Sequence, residues 1–225
     1  MPNVNALPLL PRDFDAAIVD LDGTMVDTLG DFDLALNRML AELGLPAVGR
    51  QFIEHTVGQG SEHLIRCTLA EVGAVAELYD AAWAAYQRHY DAVNGEAAEV
   101  YAGVVEGLAA MRAAGWRLAC LTNKPGAFAK QLLARKGLAP FFELSFGGDA
   151  FERKKPHPLP LQKTCEALGT LPARTLMIGD SRNDAQAARA AGCPVVLVRY
   201  GYNHGEPAES AAPNAVVDSL VELLR

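Results

Sequence analysis

The chain has 225 residues, half of them hydrophobic, enough to bury a full core as one large domain or two unequal ones. A formal net charge of −7 without any Lys/Arg block repels phosphate backbones and anionic lipid, so neither nucleic acid nor membrane is an expected partner. No apolar run approaches membrane-spanning length, and the start, MPNVNALPLLPRDFD, lacks the basic region and cleavage site of a signal peptide, so a cytoplasmic protein is expected.

Residues 16–22, AAIVDLD, form the first short apolar run without alternation, which predicts a strand covered on both faces. Helical patterns follow. LGDFDLALNRMLAELG (29–44) puts Phe32, Leu36, Met39, Leu40 and Leu43 on one face, and Thr28 with Asp31 predicts a capping box at its start. GQGSEHLIRCTLAEVG (58–73) reads as a helix opened by Gly60 and Ser61, and VAELYDAAWAAYQRHY (75–90) repeats the amphipathic pattern through Trp83, Tyr86 and Tyr90. From about residue 100 the chain alternates strand and helix. RLACLTN (117–123), TLMIGD (175–180) and PVVLVRY (194–200) are the stronger strands, ELSFGG (143–148) and AVVDS (215–219) the weaker ones. Gly115, Gly137 and Gly192 close the helical patterns.

The expected architecture is a doubly wound parallel-sheet, Rossmann-like α/β core (1–27 and 97–225) with an inserted all-helical cap (28–96). Such an insert, far beyond loop length, hangs over the carboxyl ends of the strands and can act as a lid. The alternative is a helical packing layer without a gating role. Cys67, Cys120, Cys165 and Cys193 are widely spaced and sit mostly among apolar neighbours, as reduced core thiols do.

Each strong strand but the last ends in polar groups suited to phosphate chemistry. Asp20-Leu21-Asp22-Gly23-Thr24 closes the first, Thr122-Asn123-Lys124 the second, and Gly179-Asp180-Ser181 the next, with Asp184 four residues beyond Asp180; RKKPHP carries Lys154 and Lys155 in a Pro-rich turn. Singly, these are turn formers, helix openers, solvated loops or caps. Together they converge on one sheet edge, and D-x-D-G-T arises by chance in such a chain less than about once in a hundred. Three acids there need a hard cation, which points to Mg²⁺. Asp20 is then placed to attack phosphorus in line, and Asp22 to protonate the leaving alkoxide and deprotonate the hydrolytic water. Lys155, the Thr122 hydroxyl and the Asn123 N–H are placed to hold the phosphoryl oxygens.

DLDGTMVDT, LTNKP, KKPHP and GDSRNDAQAARAAG resemble, in order, the four motifs of the haloacid dehalogenase superfamily, phosphatase branch. The likeness spans about residues 14 to 224. TVGQGSEHLIRCTL, FGGD and VRYGYNHGEP carry it toward bacterial phosphoglycolate phosphatases. The resemblance implies Asp20 as nucleophile, Asp22 as acid/base, and Thr122 and Lys155 as phosphate ligands. It also implies that Mg²⁺ is held by Asp180, the Asp20 side chain and the Asp22 carbonyl. Thr24, Ser181 and Asp184 are expected around the metal, Asp184 either as a ligand or as holder of metal-bound water. Asp22 argues against haloacid substrates, because dehalogenases lack the second acid. Met25 is a volume-conserving departure from the usual Leu or Val.

The implied activity is Mg²⁺-dependent hydrolysis of 2-phosphoglycolate through an aspartyl phosphate, in a monomer or homodimer whose partner is a small phosphorylated metabolite. The substrate carboxylate then needs a cation, for which Arg66, His63 and Lys124 are candidates. Alternatives are a phosphatase or mutase for another small ester such as a sugar phosphate, a receiver-like phosphoaspartate signalling domain, and a non-catalytic binding protein.

Overall fold

In a computed structural model, which describes residues 11 to 224, strand β1 (Ala16–Val19) is buried along its whole length, as its Ala-Ala-Ile-Val run requires. Most of the amino-terminal stretch read above for a leader lies outside the described residues. β1 pairs in parallel with β4 (Arg117–Leu121) on one side and β6 (Thr175–Gly179) on the other. β5 (Leu144–Phe146), β7 (Val195–Val198) and β8 (Ala215–Val217) complete a six-stranded sheet of order β5-β4-β1-β6-β7-β8. All six expected strands form, and every pairing within this sheet is parallel.

Side chains alternate between the faces of this sheet with period two, and both faces are covered. Ala17 and Val19 pack toward α5 (Val104–Ala113) and α6 (Gly126–Arg135), around Leu108, Met111, Leu132 and Leu133. Ala16 and Ile18 pack toward α7 (Leu159–Leu168) and α8 (Arg182–Ala191), around Leu161, Cys165, Ala185 and Ala188. Cys120, Cys165 and Cys193 are buried free thiols, and Cys67 is half-buried. The carboxyl-terminal stretch SLVELL (219–224) packs through its fully buried Leu220, which sits against Gly107 of α5; Arg225 lies outside the described residues.

Register fixes the site. Val19 is level with Cys120 and Ile178, so the next residues of β1, β4 and β6 leave the sheet along one edge. This is where the strand order reverses about β1, the ligand position of open α/β sheets.

Four helices make the insert: α1 (Leu29–Glu42), α2 (Arg50–Thr56), α3 (Ser61–Glu71) and α4 (Tyr79–Val93). They share a core of Phe32, Leu36, Leu40, Ile53, Ile65 and Tyr86, joined by Phe128 and Tyr202 from the sheet domain. α2 was not expected from periodicity, since its seven residues are too few to show one. Also unexpected is a two-residue antiparallel pair, β2 (Val26–Asp27) with β3 (Glu99–Val100), where the chain leaves and re-enters the core.

The capping box expected at Thr28 and Asp31 does not form. Thr28 Oγ1 has no hydrogen-bond partner among the described residues, and the fully buried Asp31 instead accepts hydrogen bonds from the backbone N–H of Gly95 (2.6 Å) and Ala97 (2.8 Å). The returning chain brings these donors to Asp31, a competition that local sequence cannot show.

Candidate active site

The site is built on strand ends. Asp20 follows β1, is 9% exposed, and accepts a hydrogen bond from Leu21 N at 2.8 Å. Lys155 Nζ lies 3.0 Å from Asp20 Oδ1 and 2.7 Å from Asp184 Oδ1, and donates to the Leu121 carbonyl at 2.9 Å. The ammonium is thus held by three acceptors from three parts of the chain. Burial pulls the Lys155 pKa down, but Asp184 and Asp20 together push it above the usual lysine range, so it stays charged.

Asp180 follows β6. Its Oδ2 accepts from Tyr202 N (2.7 Å) and its Oδ1 from the Thr24 hydroxyl (3.3 Å). Gly23, with φ +77°, turns the chain away where a Cβ would meet Asp180 Oδ2 at 2.4 Å. Asp184 and Ser181 form the capping box of α8, and Asp184 Oδ2 accepts from Ser181 N (3.2 Å) and Ser181 Oγ (2.9 Å). Asp184 therefore uses both oxygens within the protein, one on the cap and one on Lys155.

Oxygens of Asp20, Asp180 and Asp184 all lie within 4.8 Å of one another, and all three residues are buried. Burial pushes Asp20 up to about 7 against the pull of Lys155, and burial followed by the neighbouring Asp184 and Asp20 raises Asp180 well above the carboxylate range. One ammonium does not balance three carboxylates in so dry a place. An all-oxygen donor set with surplus negative charge fits a hard divalent cation.

Thr122, at the end of β4, is buried, and its Oγ1 accepts from Lys124 N at 3.2 Å. Asn123 holds two segments together: its Nδ2 donates to the carbonyls of Lys155 (2.8 Å) and Gly58 (2.9 Å), and its Oδ1 accepts from Lys155 N (3.0 Å). Its side chain thus positions Lys155 and the loop before α3.

The insert roofs this edge. Asp20, Asp22, Thr122, Lys124 and Asp180 line a cavity together with Phe32, Leu64, Tyr86 and Tyr90 from the insert. Lys124 Nζ is 2.7 Å from Asp22 Oδ1 and 2.5 Å from Tyr90 Oη, with the Phe32 and Tyr90 rings at 4.7 and 4.8 Å. Of the three cations considered for a substrate carboxylate, only Lys124 reaches the cavity. Arg66 is exposed and lies 3.9 Å from the Tyr79 ring, while His63 contacts Cys67 Sγ at 3.5 Å.

Sequence reading passed over Tyr202. Its backbone N–H holds Asp180, its hydroxyl donates to Asp27 Oδ1 (2.5 Å), and the same hydroxyl accepts from Thr28 N (2.8 Å). One residue thereby joins the acidic cluster to β2, the strand that leads into the insert. The Gly-Tyr within VRYGYNHGEP was its signal, because a Cβ at Gly201 would meet Asp180 Cβ at 2.1 Å.

Residues 17–198 match the family model described as haloacid dehalogenase-like hydrolase. The chain belongs to that family. As a haloacid dehalogenase-like hydrolase it is no receiver domain, and its relatives narrow the class further. It is 44% identical over 215 residues to a phosphoglycolate phosphatase of Thiobacillus denitrificans, covering 94% of this chain and 95% of that one. It is 46% identical over 211 residues to the plasmid-encoded phosphoglycolate phosphatase of Cupriavidus necator, covering 92% and 90% of the two chains. The crystal structure of a predicted phosphoglycolate phosphatase from Haemophilus somnus superposes with a TM-score of 0.91 at 29% identity, over 94% of this chain and 96% of that one. This haloacid dehalogenase-like hydrolase is a phosphoric monoester hydrolase. No helix among its described residues is long and apolar enough to cross a membrane.

Proposed function

We propose that the protein is a cytoplasmic, Mg²⁺-dependent phosphatase that hydrolyses 2-phosphoglycolate to glycolate and phosphate through an aspartyl-phosphate intermediate. The carrying observation is that Asp20, Asp22, Thr122 and Asp180 line one roofed cavity, with Lys155 bonded to Asp20, in a chain over 40% identical to named phosphoglycolate phosphatases. The working division of the chain is a core of residues 1–27 and 97–225 with a cap of 28–96.

Asp20 Oδ attacks phosphorus in line with the ester oxygen, and the P–O bond to the alcohol breaks as the acyl phosphate forms. Asp22, two residues on, gives its proton to the departing alkoxide. It then takes one from the water that attacks the acyl phosphate, returning Asp20 and releasing inorganic phosphate. Lys155 and the Thr122 hydroxyl bind the phosphoryl oxygens and orient them for attack. Asp184, Ser181 and Asn123 fix Lys155 and the α8 start, so these donors are set before substrate arrives. The side chains of Asp20 and Asp180 with the Asp22 carbonyl would hold Mg²⁺, which supplies charge neutralisation at the phosphoryl oxygens. Closure by the helical roof keeps bulk water from the intermediate.

The test is phosphate release from a panel of small esters by the purified protein, with and without EDTA. Turnover highest for 2-phosphoglycolate, abolished by EDTA and restored by Mg²⁺, is the expected result. Equal turnover of sugar phosphates, or turnover that survives chelation, would refute the substrate or the metal respectively.

A further inference from the structure

Lys124 is not accounted for by the chemistry above. Its side chain is 2% exposed, yet it is neither bonded to the acidic cluster around Lys155 nor at the surface. It comes from the loop after β4 and reaches Asp22 on one side and Tyr90 of α4 on the other. Among the described residues lining the cavity it is the one cation. An ammonium has three N–H donors, and the two acceptors at hydrogen-bond distance leave one for a ligand.

A second group on the same wall has no hydrogen bond of ordinary geometry among the described residues. Tyr86, one turn before Tyr90 and stacked on it with ring centroids 5.3 Å apart, is fully buried and lines the cavity. Its hydroxyl makes no hydrogen bond of ordinary geometry among the described residues, with the Ser61 side chain as its polar neighbour. A buried hydroxyl without an acceptor is costly, and a bound anion would satisfy it.

Position decides which anion. Whatever touches Asp22 lies beside the leaving oxygen, because Asp22 protonates it; Lys124, 2.7 Å from Asp22, is therefore next to the alcohol portion of the ester and not to its phosphate. A carboxylate on the carbon adjoining the ester oxygen is two bonds away from that oxygen, within reach of the same ammonium. Phe32, Val57 and Leu64 add apolar surface to the same cavity, which suits a short alcohol better than a polyhydroxylated one.

We propose that Lys124, supported by the Tyr86 and Tyr90 hydroxyls, is the specificity-determining receptor for a carboxylate borne by the alcohol of the substrate. The assignment rests on the phosphatase reading and selects, within it, esters of short 2-hydroxy acids. The substrate carboxylate takes over from Asp22 as the principal counter-ion of Lys124, leaving the Asp22 oxygen to face the ester.

The experiment compares 2-phosphoglycolate with ethyl phosphate, the same two-carbon ester without the carboxylate, in wild type, Lys124→Met and Tyr86→Phe. Wild type should favour 2-phosphoglycolate in kcat/KM by about 100-fold or more, as sites built around a buried polar partner do. In Lys124→Met, kcat/KM for 2-phosphoglycolate should fall about 100-fold and that for ethyl phosphate less than about 10-fold, so the preference collapses. Tyr86→Phe, which keeps the ring, should lower the preference about 5-fold, mainly through KM. Equal losses on both esters in Lys124→Met would overturn the proposal and assign the lysine to Asp22 alone. An unchanged preference in Tyr86→Phe would remove the tyrosine from the receptor. A wild type that turns over both esters equally defeats the receptor but leaves the phosphatase standing; one that turns over neither defeats the phosphatase reading itself.

Discussion

The floor and the roof of the cavity are built in opposite ways. In the floor, Asp20, Asp180, Asp184 and Lys155 are buried, charged and cross-linked, Lys155 alone by three partners and Asp184 through both oxygens. In the roof, Phe32, Tyr86, Tyr90 and Leu64 present rings and aliphatic surface, and the cation they surround comes from the floor. Fixed dipoles and charges are what a phosphoryl transition state needs, whatever alcohol leaves. A mostly apolar wall with few polar groups is what tells alcohols apart. In the proposed reading the chemistry falls to the floor and the choice of substrate to the roof together with Lys124, the floor residue it encloses, and substitutions should separate the two.

Asp20→Asn gives the largest expected effect. Loss of the proposed nucleophile should lower phosphate release on the order of 10⁴-fold or more for every ester, with the circular dichroism spectrum unchanged. Retained turnover of any one ester would break the division, since the floor would not then be common to all substrates.

Asp184→Ala comes next and reads out as stability as well as activity. It leaves the Lys155 ammonium, 2% exposed, without its closest carboxylate and removes the Asp184 half of the α8 capping box. Breaking a buried pair costs about 3–5 kcal/mol, to be measured by urea unfolding. A loss below about 1 kcal/mol, the range of a surface pair, would mean that the floor is not the rigid part.

Tyr202→Phe probes the seam between the two regions. It removes an acceptor for the buried Thr28 N–H and a donor to Asp27 while leaving the backbone bond to Asp180 intact. About 1–3 kcal/mol of stability should go, with a several-fold fall in kcat, because the strand that leads into the insert loses its tie to the acidic cluster. A variant with wild-type kcat would show that roof and floor are aligned without this link.

Arg66→Ala should do least. Arg66 sits over Tyr79 on the outer side of the insert, so kcat/KM for 2-phosphoglycolate should stay within about twofold. A large loss there would give the roof a cation of its own and undo the contrast with Lys124.

The parts that could be read beforehand share a physical cause. The runs of β1, β4, β6 and β7 are continuous and apolar because both sheet faces are covered, and that requirement is written into the local residues. The acids and the lysine at their ends were legible because few structural needs put Asp-x-Asp-Gly-Thr, Lys-Lys-Pro and Gly-Asp-Ser beside buried strands. The β2–β3 pair was not legible, being two residues per strand and joined across the whole insert. Thr28 and Asp31 misled because a capping pattern is local, whereas the donors that took Asp31 arrive from Gly95 and Ala97. Tyr86 and Tyr90 read only as the apolar stripe of a helix, since periodicity reports burial and not what a hydroxyl faces.

The amino-acid sequence by itself determined the sheet, the residues at its carboxyl edge and hence the class of reaction, because strand burial and catalytic residue types are properties of short segments. Tertiary structure decided which of Arg66, His63 and Lys124 enters the cavity, what Tyr202 joins, and where Asp31 and the Tyr86 hydroxyl point. Those outcomes depend on how the helices seat on the sheet edge, which is settled by long-range packing between segments dozens of residues apart, and no local pattern encodes it.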